Sequence, residues 1–192
     1  MAEAGTAYFI SAFGNPVVAL PAAAVLIFLL FHTRHMRVAV NYATAIVGLF
    51  ISAAILKVIS RCLGDSFVGT PWHLSIGAPS GHASLSTIVY GGAAAILMRA
   101  AGRLGAAGAF LLFLILLIGI AVTRVTLGTH TPMDVITGII LGMIFVVPVS
   151  IAAAREAWDV RPLNAVIVVA GMMAVAFLAN VSGFRITSDI VF

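Results

Sequence analysis

Two short polar stretches interrupt the apolar runs of this chain, and together they hold side chains that could handle a phosphate group. The first runs from Ala78 to His82, and the second runs from Val122 to Asp134 and contains Arg124 and His130. Ionisable groups beside apolar runs are costly to desolvate, so membrane proteins seldom keep them without a use. We interpret the two stretches as halves of one site.

Cationic side chains, two histidines and a carboxylate suit the cleavage of a phosphate ester. A phosphate monoester resists nucleophiles because it is anionic, and Arg and Lys side chains neutralise its oxygens, Arg through two parallel hydrogen bonds. One histidine can attack phosphorus and form a phosphohistidine. A carboxylate on its other ring nitrogen fixes the tautomer. A second histidine can protonate the leaving alkoxide and later activate water. Nothing in this chemistry requires a metal or another cofactor.

The composition places these groups in a membrane protein. Of the 192 residues, 62% are hydrophobic and 8% are charged, whereas a soluble domain carries about 25% charged residues. The mean hydropathy is +1.20. We therefore predict an all-α, polytopic membrane protein in which residues 1–192 form one domain. The net charge of +4 comes without a basic tract interleaved with aromatic residues, so we expect no nucleic-acid partner.

Six apolar runs are long enough to cross a bilayer, which needs about 20 residues. The predicted spans are roughly Tyr8–Phe31, Val38–Lys57 with an extension to Arg61, Gly81–Ala101, Leu104–Arg124, Pro132–Ala154 and Leu163–Gly183. Asn15-Pro16 predicts a bent or interfacial start near Gly14. The stretch from Cys62 to Ser80 is rich in Gly, Pro and polar residues, a composition that predicts a loop.

Six spans bring the polar stretches to one face of the membrane, because the ends of spans two and four meet the starts of spans three and five. The side chains expected to converge there are Lys57, Arg61, Ser80, His82, Arg124, His130 and Asp134. Helix starts add free backbone N–H groups, which bind anions. The pattern therefore predicts a phosphate site.

The arginines predict the orientation of this face. Pairs of arginines fall in the first, third and fifth connections: Arg34 and Arg37, Arg99 and Arg103, and Arg155 and Arg161. The positive-inside rule places these connections in the cytoplasm. We therefore expect a bacterial inner-membrane protein whose site faces the periplasm or exterior.

Structural roles are the alternative for each of these residues. Thr131 and Asp134 have the spacing of a capping box at a helix start, and Ser80 could simply cap span three. Lys57 and Arg124 could be cations that favour helix C-termini and extend to the interface.

A metal site is a second alternative for the histidines. His73, His82, His130 and Asp134 are residue types that bind divalent ions. The neighbouring cations would repel such an ion, so we favour the site without metal.

The joint pattern resembles the type 2 phosphatidic acid phosphatase (PAP2) family. Pro79-Ser80-Gly81-His82 matches the family's second motif, P-S-G-H, letter for letter. Arg124-x5-His130-x3-Asp134 matches the third, S-R-x5-H-x3-D, with Thr123 in place of the serine. The resemblance in layout covers spans two to five, about half of the chain.

The family's first motif, K-x6-R-P, is only half present. Lys57 fits, but Gly64 and Asp65 stand where Arg-Pro is expected. Arg61 lies one helical turn beyond Lys57, and we predict that it replaces the missing arginine.

The resemblance implies a role for each residue of the site. His130 would be the nucleophile, Asp134 its orienting carboxylate and His82 the general acid. The phosphate would be held by Lys57, Ser80, Gly81 and Arg124, and we add Arg61 to this set. Known members hydrolyse lipid phosphates or diphosphates without metal, including phosphatidic acid, phosphatidylglycerol phosphate, polyprenyl diphosphates and lipid A.

Two other functions stay open at this point. A lipid phosphotransferase would use the same phosphohistidine and pass the phosphate to an acceptor lipid. A lipid-phosphate binder or transporter would keep the scaffold without catalysis, and the incomplete first motif keeps this alternative open.

Overall fold

The regular structure is entirely α-helical in the part of the chain that the computed structural model describes, residues 2–63, 78–100 and 102–158. The helices are α1 (Ala2–Ala12), α2 (Pro16–His32), α3 (Met36–Leu63), α4 (Gly81–Ala100), α5 (Arg103–Thr126) and α6 (Pro132–Ala154). The predicted all-α fold is confirmed. The predicted span at 163–183 lies outside the described residues.

Several of these helices can cross a membrane. Helices α3 to α6 are each long and apolar enough to do so, and α1 and α2 together qualify as a fifth span that is bent by 41°. The protein is therefore an integral membrane protein built as a helical bundle. The break near Gly14 that the sequence predicts is present between α1 and α2.

The break between α1 and α2 is followed by a well-defined helix start. The side chain of Asn15 accepts a hydrogen bond from the backbone N–H of Val17 at 2.9 Å, and Pro16 is the first residue of α2. Asn is a favoured cap, and Pro is favoured at the first helical position because its missing N–H would have no partner there.

Helix α4 forms the centre of the bundle. Of the most apolar stretch of each helix, 72% is buried inside the protein in α4 but only 11% in α5. Helix α4 therefore faces protein, while α5 largely faces lipid. A hydroxyl group that is buried against α4 needs a hydrogen-bond partner, because an unpaired hydroxyl in this interior would be costly. The hydroxyl of Tyr42 on α3 donates to the carbonyl oxygen of Val89 at 2.8 Å.

Two glycines let α6 pack closely against α4. A carbon added at Gly138 would lie 2.6 Å from the carbonyl oxygen of Ser80, and one added at Gly142 would lie 2.7 Å from that of Ser84. Glycines four residues apart allow such an approach in membranes, where packing contacts drive helix association. This close approach fixes the start of α4 against the start of α6.

The opposite end of the bundle carries a separate group of contacts. His35 and Glu156 approach to 3.4 Å, and the ring of Trp158 lies 4.4 Å from that of His35. The exposed arginines of the described connections lie at this end: Arg34, Arg37, Arg99, Arg103 and Arg155. The polar motifs and these five arginines are therefore at opposite ends of helices that rise about 1.5 Å per residue.

Candidate active site

The predicted halves of the site meet at one end of the bundle. The backbone N–H of Ser80 donates to the backbone carbonyl oxygen of Asp134 at 2.8 Å, which joins the starts of α4 and α6 directly. A side-chain carbon added at Gly81 would lie 3.9 Å from Lys57 Nζ, so the end of α3 reaches the same place. Helix α5 ends there with Arg124 in its last turn.

The spacing between Arg124 and His130 follows from the way α5 ends. Gly128 has a φ of +66°, and its N–H donates to the carbonyl oxygen of Val125 at 3.0 Å. The N–H of Thr129 donates to the carbonyl oxygen of Arg124 at 3.2 Å. This is a Schellman ending, in which glycine adopts the left-handed conformation without strain. The N–H of His130 also donates to the Arg124 carbonyl oxygen, at 3.3 Å, which ties His130 to the end of the helix.

The next helix begins with the capping box that the sequence predicts. The N–H of Asp134 donates to Thr131 Oγ1 at 3.2 Å, and the N–H of Thr131 donates to Asp134 Oδ2 at 3.0 Å. Pro132 occupies the first turn. The structural interpretation of Thr131 and Asp134 is thus correct, and it fixes the carboxylate beside the preceding loop.

The same carboxylate faces His130. Asp134 Oδ2 lies 3.7 Å from His130 Nδ1, which is an ion-pair distance but too long for a hydrogen bond. Asp134 Oδ1 is buried and has no hydrogen-bond partner within the described residues. A buried carboxylate oxygen without a donor is costly. Nδ1 is the ring nitrogen that faces this carboxylate, which leaves Nε2 as the other nitrogen of His130.

Arg124 is a buried cation, with 6% of its surface exposed. Its Nη1 donates to the hydroxyl oxygen of Ser11 on α1 at 3.1 Å. Its Nε is buried and has no partner among the residues that the structure describes. A guanidinium has five N–H donors and stays charged, so an open donor in a buried position favours an anionic ligand.

His82 lies in the first turn of α4, near the other side chains of the site. Arg124, His130 and Lys57 all act electrostatically on its imidazole. On the other side, a carbon added at Gly14 would lie 3.2 Å from its Cβ, so the α1–α2 break packs against it. Its backbone carbonyl oxygen accepts a hydrogen bond from the hydroxyl of Ser86.

The surroundings of His130 favour its neutral form. Burial lowers the pKa of this imidazole below its ordinary value of 6.5, and the positive charges of Arg124 and Lys57 lower it further. The carboxylate of Asp134 opposes them and raises the pKa, but the net shift is downward. A neutral imidazole has a free lone pair at neutral pH, which a nucleophile requires.

Most of the predicted side chains are therefore brought together at one place: Lys57, Ser80, His82, Arg124, His130 and Asp134. Helix α3 continues through Leu63, so Arg61 lies on it as predicted, but its side chain is outside the described part. Gly64, Asp65 and His73 are also outside it. Within the described residues no group of three or more His, Cys, Asp or Glu side chains could hold a metal ion.

Sequence reasoning missed Ser11. A single serine in an apolar run gives no signal of its own, and only the fold brings α1 against the end of α5. The signal that could have suggested it is the predicted break near Gly14, where α1 and α2 meet at a bend of 41°.

Comparison with known families supports the resemblance that the motifs indicate. Residues 57–158, just over half of the chain, match the PAP2 superfamily. No curated protein and no solved structure matches the chain. The matched segment runs from Lys57 to Trp158 and contains the second and third motifs. The chain belongs to the PAP2 superfamily of membrane phosphatases, whose members typically act on lipid phosphates without a metal ion.

Proposed function

We propose that this protein hydrolyses a phosphate ester or anhydride on an amphiphilic lipid through a phosphohistidine at His130. The observation that carries the proposal is the pairing of His130 with Asp134 beside the buried Arg124. A nucleophile, an orienting carboxylate and a phosphate-binding cation thereby share one end of the bundle. A structural role for each residue alone would not require this grouping.

Binding of the phosphate comes first in the proposed reaction. Arg124 offers donors from a buried position, and Lys57 lies near Gly81 at the start of α4. Ser80 and the backbone N–H of Gly81 would add donors at that helix start. These groups would neutralise the phosphate oxygens and stabilise the extra charge of the transition state. We add Arg61 to this set because it lies one turn beyond Lys57 on α3.

The first chemical step is attack on phosphorus. Nδ1 of His130 faces Asp134, so Nε2 would form the new N–P bond while the bond from phosphorus to the leaving oxygen breaks. The electron pair of that bond goes to the lipid oxygen, which takes a proton from His82. Asp134 would hold the tautomer of His130 and stabilise its positive charge.

The second step releases the phosphate. His82, now neutral, would take a proton from water as the water oxygen attacks phosphorus. The N–P bond breaks, and its electron pair returns to Nε2 of His130. The products are the dephosphorylated lipid and inorganic phosphate, and both histidines are restored.

The position of the site supports a lipid substrate. The groups proposed to bind phosphate lie at the ends of helices that are long and apolar enough to span a membrane, which would place them at the depth of a lipid headgroup. Phosphatidic acid, phosphatidylglycerol phosphate, a polyprenyl diphosphate and lipid A are the candidates within this class. We further propose that residues 1–192 form one domain and that the site faces the periplasm or exterior of a bacterial inner membrane. The grouping of exposed arginines at the other end supports this orientation.

A substrate panel with purified protein in detergent and EDTA tests the proposal. We expect phosphate release from at least one of the lipid phosphates, and loss of that release by several orders of magnitude in His130→Ala. Transfer of labelled phosphate to a second lipid would indicate a phosphotransferase. Binding without release from any lipid would indicate a binder or transporter. Activity that EDTA abolishes and zinc or magnesium restores would favour a metal site.

A further inference from the structure

The end of α1 contacts the site from outside the segment that matches the superfamily. Ser11 is 5% exposed, and its hydroxyl oxygen accepts a hydrogen bond from Arg124 Nη1 at 3.1 Å. The match covers residues 57–158, so Ser11 and the whole of α1 lie outside it.

Several contacts hold this part of the chain in place. The hydroxyl of Tyr90 on α4 donates to the carbonyl oxygen of Phe13 at 2.7 Å. A carbon added at Gly119 would lie 3.1 Å from a methyl group of Ile10. The backbone next to Ser11 is therefore anchored to both α4 and α5. Such an anchored hydroxyl can fix the direction of a neighbouring side chain.

The bond to Ser11 engages one particular nitrogen of Arg124. In a planar guanidinium, Nε and Nη2 form one edge that can give two parallel hydrogen bonds to an anion, and Nη1 is not part of that edge. Nη1 is the atom bound to Ser11, and Nε has no partner within the described part of the chain. The contact therefore holds the guanidinium in place and leaves its Nε edge for a ligand.

We propose that Ser11 is a positioning residue of the phosphate site, which orients Arg124 so that its Nε edge receives a phosphate. Ser11 acts through Arg124 and does not itself touch the reacting atoms. This inference rests on the proposed function for the identity of the ligand. It also makes α1 part of the working site, because without the hydroxyl the guanidinium could turn away from the phosphate.

Orthovanadate binding to the purified protein, measured by calorimetry in detergent, tests this role without requiring turnover. Ser11→Ala should weaken binding roughly ten- to a hundredfold, the range that corresponds to the loss of a hydrogen bond to a charged group. Ser11→Cys keeps the side-chain size but offers a weak acceptor, so it should weaken binding similarly. Ser11→Thr keeps the hydroxyl and should retain most of the affinity. Ser150→Ala is the control, because Ser150 bonds only to Val147 of its own helix among the contacts described.

A double-mutant cycle separates positioning from packing. In an Arg124→Lys background the planar fork is absent, so Ser11→Ala should weaken vanadate binding less than twofold further. An equal loss in both backgrounds, or wild-type affinity in both Ser11→Ala and Ser11→Cys, would overturn the inference. If lipid phosphate hydrolysis persists with such a result, only the role of Ser11 fails. If vanadate binding depends on Ser11 but no lipid is hydrolysed, only the proposed function fails.

Discussion

The backbone N–H of Ser80 donates to the backbone carbonyl oxygen of Asp134 at 2.8 Å, and this bond joins the two polar motifs of the chain. It brings the start of α4 and the start of α6 into one unit. The side chain of Asp134 then faces His130, while the helix that follows Ser80 carries His82. The geometry of the site thus depends on how closely the two helices approach.

We expect Gly138→Ala to damage both stability and activity. The added methyl would lie 2.6 Å from the backbone carbonyl oxygen of Ser80, which cannot move without shifting α4. Overpacking of this kind costs about 1–3 kcal/mol of unfolding free energy. Because the shift occurs at the site, kcat/KM should fall more than the loss of folded protein explains. Thermal unfolding and phosphate release from the same preparation measure both effects.

Gly108→Ala provides the matched control for that substitution. Gly108 is an exposed position on α5 with no neighbouring atom within 4 Å, so the methyl has room. Alanine there should keep or raise stability, by about 0.5–1 kcal/mol. Equal effects of the two substitutions would show that the approach of α6 to Ser80 is not needed.

The lowered pKa of His130 predicts its reactivity as a function of pH. Its neutral form should persist below pH 6.5, because burial and the charges of Arg124 and Lys57 disfavour the protonated form. Modification by diethyl pyrocarbonate, which attacks neutral imidazole, should therefore have a midpoint below 6.5. The tryptic peptide of residues 125–155 contains His130 as its single histidine, so mass spectrometry can follow it alone.

Asp134→Asn should shift the midpoint of His130 modification in a defined direction. Asp134 raises the pKa of His130, so its removal should move the midpoint to still lower pH. At the same time kcat should fall, because the imidazolium loses its partner. A midpoint at or above 6.5 in the wild type, or an upward movement in Asp134→Asn, would contradict the assignment of charges around His130.

Arg61 is predicted to replace the arginine that is absent from the first motif. Losing a charge-assisted phosphate contact should cost about 1.5–3 kcal/mol of transition-state binding. This corresponds to roughly ten- to a hundredfold in kcat/KM for Arg61→Ala. Arg61→Lys should be impaired less, because it keeps the charge but loses the fork. Unchanged kinetics in Arg61→Ala beside a strongly impaired Lys57→Ala would assign Arg61 to the membrane interface only.

The orientation in the membrane can be tested with single cysteines in a Cys62→Ser background. Thr129 is exposed at the end of the bundle that holds the site, and Gly102 is exposed at the other end. An impermeant thiol reagent added to whole cells should label Thr129→Cys but not Gly102→Cys. The reverse pattern would place the site in the cytoplasm.

Local rules account for the parts of the fold that the sequence predicted. Pro132 and the spacing of Thr131 and Asp134 predict the start of α6, and a capping box forms there. Asn15-Pro16 predicts the break after α1, which bends by 41° from α2. The apolar runs predict the membrane helices because a bilayer selects them by length and hydropathy.

Contacts between distant segments could not be predicted in the same way. The bond between Ser80 and Asp134 and that between Arg124 and Ser11 join backbone or side-chain atoms far apart in sequence. They depend on the distances and rotations of packed helices, which glycines such as Gly138 set through contacts that no local pattern records. For this reason the sequence pointed to Arg124 but not to Ser11, which holds it.

Trapping of the covalent intermediate tests the central claim most directly. The purified protein would be mixed with a lipid carrying radiolabelled phosphate in the presence of EDTA, quenched in alkali within milliseconds and digested with trypsin. We predict acid-labile, alkali-stable label on the peptide of residues 125–155, with none on that peptide from His130→Ala. Rapid hydrolysis by the wild type with no label on that peptide at any time, together with comparable hydrolysis by His130→Ala, would contradict the phosphohistidine mechanism.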